Sequence, residues 1–358
     1  MATADFPTNH PMAAKLWSPK LFVDAVGATF WGKFRGTSAS SLIQEKTETK
    51  KNAGDRVTIG LRGLPTGGGQ QGDDTLEGNE EGLTVYTFNL TIDQLRHAFR
   101  TQGEMSEQRV PFSVRSECKD ALQDWWTERL DVCMANQLTG NTAQTDVKYA
   151  GLNATTAPTS ANSVTRIICG GLESSEASLS ATTTHAIKLR DLDTAVAIAK
   201  AQSPRIRPLR VGGEDVFVAF LHPYQIRQIR QDASTSGNFY DLYKRVIQGG
   251  KIDDNPIFTG ANFMYNNVVV HEWSYLPNTV NAPSSQTNYR RGVFCGAQAA
   301  VFGIGQGGSA FPMKWREKYF DYDNQFGVAG SMIFGIKKSL FNGNDYATIA
   351  LSGYAPVP

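Results

Sequence analysis

Between two runs of alternating apolar residues lies GLPTGGGQQGDDTLEGNEEG, residues 63–82, and this stretch limits what the chain can fold into. Val57, Ile59 and Leu61 alternate before it. After it Leu83, Val85, Phe88, Leu90 and Ile92 keep roughly period two, so the two runs read as a β-hairpin. The connection is rich in glycine and acid, and no Lys or Arg occurs from Gly63 to Leu95. A structureless loop of roughly twenty residues is uncommon in a compact domain and is usually either functional or disordered. The chain is therefore expected to carry an extended hairpin with no core of its own.

The rest of the chain reads as α+β. Ser18 as a cap, Pro19 at the first helical position and Leu21, Phe22, Ala25 and Val26 predict a short helix near the N-terminus. A longer helix is predicted over Ser113–Leu138, where Val114, Cys118, Ala121, Leu122, Trp125, Leu130, Cys133, Met134 and Leu138 recur mostly at spacings of three and four before Gly140. Its length would be roughly 39 Å. Trp125 falls on that stripe and is expected to face the core. Trp126 points about 100° away and is expected to serve either another layer of the fold or a contact between subunits. Residues 139–185 are rich in Thr, Ser, Asn and Ala and read as loops or short strands. An α/β segment follows, with helices at Leu189–Ala201, Pro223–Asp232 and Asn238–Gln248, a buried strand in VFVAFLHP and a hairpin at Asn266-Asn267. The end is β-rich, and Asn342-Gly343 predicts a hairpin joining SMIFGIKKSLF to YATIALSGY.

Charge and composition exclude several classes. With 35 basic and 34 acidic residues the formal charge is +1, so no overall field draws the chain to nucleic acid or an anionic membrane. No apolar run is long enough to span a bilayer, and the N-terminus lacks a signal-peptide layout. Cys118, Cys133, Cys169 and Cys295 are scattered, without a CxxC pair, and are expected to be reduced thiols.

The motifs are weak. Gly303-Ile304-Gly305-Gln306-Gly307-Gly308 fits GxGxxG, but SAFPMKW follows where a dinucleotide site needs a helix. Asp73, Asp74, Glu77, Glu80 and Glu81 could bind calcium, form a solvated acidic face, or meet basic residues of another chain. As an EF-hand the cluster fails, because Thr84 stands where a bidentate Glu belongs. Arg205, Arg207 and Arg210 make a basic strip between Pro204 and Val211 that reads as an extended edge segment suited to ion pairing. No catalytic residue, cofactor site or metal site is nominated. The alternative to a structural role is an intracellular α/β enzyme binding a phosphate ligand.

Long segments carry a more specific signal: NHPMAAKLWSPKLFVDAV, SLIQEKTETKKNAGDRVTIGLRG, LEGNEEGLT, IDQLRHAFRTQGEMSEQRVPFSVR, SPRIRPLRVGGEDVFVAFLHPYQIRQIR, NPIFTGANFMYNNVVVHEW and YFDYDNQFGVAGSMIFGIKKSLFNG. In these the chain resembles the major capsid proteins of tailed bacteriophages over nearly its whole length, least in 140–180. The resemblance implies the shell fold shared by tailed phages and herpesviruses: an N-terminal arm (1–50), an extended β-hairpin loop (51–104), a peripheral domain with a long spine helix and β-sheet (105–185), an α/β axial domain (186–295), and returning β-strands of the peripheral domain (296–358). It implies hexamers and pentamers assembled into an icosahedral shell around double-stranded DNA, held without sequence recognition. The family opening matches at Met1, which implies a separate scaffolding protein; a portal protein at one vertex and a decoration or cement protein are further expected partners. Assembly is expected in the host bacterial cytoplasm, with no membrane partner. The acidic loop is expected to touch another subunit, with Lys46, Lys50, Lys51, Arg205, Arg207 and Arg210 as candidate partners.

Overall fold

The structure, a computed structural model, describes residues 25, 28–47, 55–62, 67–83, 85–159, 165–211, 213–231, 263–279, 288–305 and 313–358. The predicted helices near Ser18 and at Asn238–Gln248 lie outside them. A short 3-10 helix (Phe30–Phe34) leads into β1 (Arg35–Gly36) and β2 (Ile43–Lys46); β3 (Arg56–Arg62), β4 (Val85–Thr91) and β5 (Asp93–Arg100) follow. Helices α1 (Glu104–Gln108), α2 (Val114–Thr139) and α3 (Val147–Ala150) come next, then β6 (Ile167–Cys169), α4 (Leu189–Ala201), β7 (Leu209–Val211), β8 (Glu214–Leu221) and α5 (Pro223–Gln231). The chain ends in strands: β9 (Phe263–Tyr265), β10 (Val268–Glu272), β11 (Tyr289–Cys295), β12 (Ala300–Ile304), β13 (Met313–Phe320), β14 (Gln325–Lys338), β15 (Leu340–Phe341), β16 (Asn344–Asp345) and β17 (Thr348–Tyr354).

Two large sheets form among the described residues. In the first, β14 is central: β5 runs along one edge, and β13 and β12 follow one another along the other. The second has the order β6-β17-β11-β8-β10-β9, with β7 on β8. Strand β8 is buried from Val216 to Leu221, as its unbroken apolar run requires when both faces are covered. Asn266 and Asn267, both at positive φ, close the β9–β10 hairpin. Asn342 and Gly343 also form such a turn, but it closes only the two-residue strands β15 and β16. The predicted long hairpin is not formed there. Strand β17 instead pairs with β11 and β6, so the strands after residue 295 supply both sheets.

Helix α2 lies against the first sheet. Its end is fixed by Gly140 at φ 66, with Asn141 N–H donating to Asn136 O and Gly140 N–H to Gln137 O. That pattern satisfies carbonyls the helix would otherwise leave open. Trp126 takes the first of the two places expected for it, inside the fold, while Trp125 packs against the core less deeply than its stripe position predicts. Leu122, Trp126 and Leu130 form one fully buried i,i+4 row, so Trp126 belongs to the subunit's own core. Trp125 is half-buried, stacked on His97 at 4.3 Å with Arg129 over its ring, and Ala121 is exposed. A stripe read from sequence tolerates this one-residue shift, because adjacent helix positions differ by only 100°.

Buried ionic groups tie the helix end to the second sheet. Arg291 on β11 pairs through two nitrogens with Glu176, and its Nη1 donates to Gly140 O at 3.0 Å and Thr139 O at 3.3 Å. Nearby Lys338 on β14 pairs with Asp345 at 2.6 Å and donates to Thr156 O at 2.9 Å. At the other end of the core, Asp131 of α2 accepts from the Phe30 backbone N–H and so anchors the 3-10 helix.

Candidate functional site

The hairpin is formed as its alternation predicts, with Val57 opposite Leu90, Ile59 opposite Phe88 and Leu61 opposite Tyr86. Leu83 and Val85 do not share that inner face and are 69% and 52% exposed. The root rests on the first sheet, where Val57, Phe88 and Leu90 cluster with Val301 of β12. Here two glycines of the GxGxxG spacing find their use. A Cβ on Gly303 would lie 2.6 Å from Leu90 Cδ2, and one on Gly305 2.5 Å from Ile333 Cγ2. Gly335, opposite Gly303, would meet Thr91 O at 2.3 Å. Gly303 and Gly335 are bare so that the hairpin can lie on the sheet, and Gly305 leaves room for Ile333 of the neighbouring strand and for Ile92. Residues 306–308 of the motif fall outside the described residues, and the next described element is strand β13.

From residue 67 to 83 the loop forms neither helix nor strand, and every residue is exposed. Short local bonds shape it: Gly67 N–H donates to Glu81 Oε2 at 2.8 Å across its two limbs, Gly78 N–H to Glu80 Oε2 at 2.8 Å, and Asn79 Nδ2 to Thr75 O at 2.9 Å. Among the described residues the carboxylates of Asp73, Asp74 and Glu77 form no hydrogen bond or ion pair. No three His, Cys, Asp or Glu among the described residues are grouped to hold a metal ion.

Of the candidate partners, Lys50 and Lys51 fall outside the described residues. Lys46 is half-buried at the end of β2, opposite Gly303 of β12. Arg205, Arg207 and Arg210 are exposed and flank buried Ile206 and Leu209, as an extended edge segment should. Arg210 meets Asp215 of its own chain at 3.4 Å. Within one chain no ion pair joins the strip to the acidic loop.

A second basic surface escaped the sequence reading. Across β5, β14 and β13, Arg96, Ser331 and Lys314 form one row; Ala98, Ala329 and Arg316 the next; Arg100, Gly327 and Lys318 the third. Opposed residues of neighbouring antiparallel strands share a face, so five cations line one side of the sheet. Arg96, Arg100, Arg316 and Lys318 are exposed, and Lys314 is half-buried. Among the described residues none of the five forms an ion pair. Glu317 lies on the opposite face, where Arg115 of α2 holds it at 2.7 Å. Phe320 closes one end, with Arg100 4.3 Å and Lys318 4.9 Å from its ring centre. The alternation K-W-R-E-K in β13 was the available signal; its partners on β5 lie over two hundred residues earlier.

Among the described residues, the buried thiols and His222 are held in structural settings. Burial pushes the Cys133 and Cys169 thiols up to about 12, away from the nucleophilic thiolate, and lowers His222 to about 4, with Arg290 adding to the effect. His222 Nδ1 accepts from Tyr224 N–H, a strand-end role. A cleft of about 60 Å³ between β5 and α3, beside Leu95, Val147 and Phe334, is far below the few hundred Å³ a cofactor needs. The developed features among the described residues are surfaces, the coreless acidic loop and the basic face of the first sheet, such as a subunit that lies beside others presents.

Comparison with known proteins gives the class its name. The solved capsid of Ralstonia phage GP4 superposes with a TM-score of 0.79 at 30% identity, covering 100% of this chain and 99% of that one. The capsid of cyanophage Pam1 shares the fold at TM-score 0.70 and 18% identity, over 92% of each chain. The major capsid protein of Pseudomonas phage KPP25 is 31% identical over 352 residues, 91% of this chain and 89% of that protein. The model of the phage capsid protein family matches residues 5–357, and the chain belongs to that family. It has the tailed-phage capsid fold and is a major capsid protein of the icosahedral phage shell, not an enzyme.

Proposed function

We propose that the subunit assembles through hexamers and pentamers, and that residues 63–82 form a clasp between neighbours within the shell. The observation that carries the clasp is that residues 67–83 are wholly exposed and bury nothing in their own chain, although they include Leu76 at 61% and Leu83 at 69% exposure. A segment with no core cannot offset the entropy of ordering itself, so its ordering must come from contacts made in the assembly. Head-to-tail contacts of this kind close into rings when their rotation permits. In this reading residues 1–50 are the arm, 51–104 the extended loop, 105–185 and 296–358 the peripheral domain, and 186–295 the axial domain. The shell takes shape in the host bacterial cytoplasm with a separate scaffolding protein. It carries a portal protein at one vertex and a decoration or cement protein outside, and encloses double-stranded DNA without reading its sequence.

Replacing residues 64–81 by a short turn tests the clasp. The unassembled subunit should keep the circular dichroism and melting temperature of wild type, while closed particles fail to form under conditions where wild type forms them. Particles at wild-type yield on a sizing gradient would remove the clasp; an unfolded subunit would assign the loop to the internal fold.

A further inference from the structure

We infer that the basic face of β5, β14 and β13 is the seat of the acidic loop of a second copy of this chain, an assignment that rests on the clasp reading and names its partner surface. The face is a trough. Arg96 and Arg100 form one rim, Lys314, Arg316 and Lys318 the other, and Ala329 and Ser331 of β14 the floor. Two strand spacings separate the rims by about 10 Å, and the three rows run about 14 Å along the strands, which is room for one extended backbone and its side chains. Phe320, folded over Gly327, ends the trough.

Complementarity selects the occupant. The loop offers Asp73, Asp74, Glu77, Glu80 and Glu81 with no cation from Gly63 to Leu95, and the trough offers five cations with no acid on its face among the described residues. Neither set is neutralised by the other within one chain. The same sheet face shows what such a trough receives: farther along β14, where Gly335 lies beneath Thr91, the small residue admits the backbone of the chain's own hairpin. Ala329 and Ser331 lie on that same face, separated from Gly335 by half-buried Ile333 and beyond the part the hairpin covers. The Arg205–Arg210 strip has no such floor, and its Arg210 already meets Asp215. Enclosed DNA would touch the rims through its phosphates and leave the narrow floor unexplained. Opposed charges at such a contact set register and speed encounter, so the contact should weaken as salt rises.

Charge exchange tests the assignment. Arg96, Lys314 and Arg316 are changed together to Glu, leaving Arg100 and Lys318 on Phe320; Asp73, Asp74 and Glu77 are changed together to Lys. Each triple variant alone should form closed particles at a yield lower by about tenfold or more, with unchanged circular dichroism of the free subunit, and the two triples combined in one chain should recover to within about twofold of wild type. In an otherwise wild-type chain, Asp74→Cys with Arg316→Cys should give ladders of covalent oligomers on non-reducing gels of assembled particles. If the loop triple assembles normally, the clasp itself fails. If the loop triple fails but the trough triple assembles at wild-type yield, the clasp stands and this partner is wrong. Closed shells of the trough triple that lose only DNA would give the face to the genome and overturn the assignment. So would two folded, assembly-deficient triples that do not rescue each other, or the absence of ladders.

Discussion

Replacing Arg291 with Met should destabilise the unassembled subunit by about 3–5 kcal/mol at pH 8. The side chains of Arg291 and Glu176 are 2% and 3% exposed, and the guanidinium serves both the carboxylate and the last carbonyls of α2. Its loss leaves a buried carboxylate with the Ser352 hydroxyl but no opposite charge, together with the Thr139 and Gly140 carbonyls it had bonded. For a chain of 358 residues such a loss lowers the melting temperature by about 4–7 °C. Adding Glu176→Leu removes the uncompensated charge and should recover roughly half of the loss, since the carbonyls remain orphaned. Urea denaturation and scanning calorimetry of the soluble subunit measure all three quantities. A single variant that loses under about 1 kcal/mol, or a double variant no better than the single, would refute the view that this pair locks the helix end to the second sheet.

Gly335→Ala should cost about 1–3 kcal/mol and lift the hairpin root, because the new Cβ meets the Thr91 carbonyl at 2.3 Å; faster proteolysis between residues 56 and 91 checks it. Burial raises the Asp131 carboxyl to about 7, against the pull of the Phe30 and Trp31 backbone N–H groups. Since the folded value lies above the unfolded one, near 3.8, the stability it contributes is full below about pH 4 and lost as pH climbs through about 7. Wild type should therefore lose ground to Asp131→Asn between pH 4 and 8 in melting temperature, and a pH-independent difference would contradict this.

Local signals were the legible ones. The α4 span, the Gly140 stop and the Asn266-Asn267 turn are written in a few adjacent residues, and the structure keeps them. The acidic loop was legible because glycine, acid and a scarcity of apolar residues all coincide in one stretch. What failed depended on distant partners. Trp126 outranks Trp125 because α2 meets Phe334 of β14, which no helical spacing reveals. Strand β17 leaves its neighbour β14 for β11 because its alternation suits either sheet. The trough was hidden for the same reason: half of it lies in IDQLRHAFR and half in MKWREKYF, and only the register of β14 sets Arg96 across from Lys314.

The division of β14 into two faces has a mechanical consequence. Met332, Phe334 and Ile336 fill the core, while Ala329, Ser331, half-buried Ile333 and Gly335 lie toward the hairpin and the trough. A slip of one residue would push rings and thioethers beneath the hairpin and leave small residues, and hence voids, under α2. This strand cannot serve as a slide. When a shell of such subunits changes shape, the sheet must travel as a rigid tile, and the give must come from the seams between tiles.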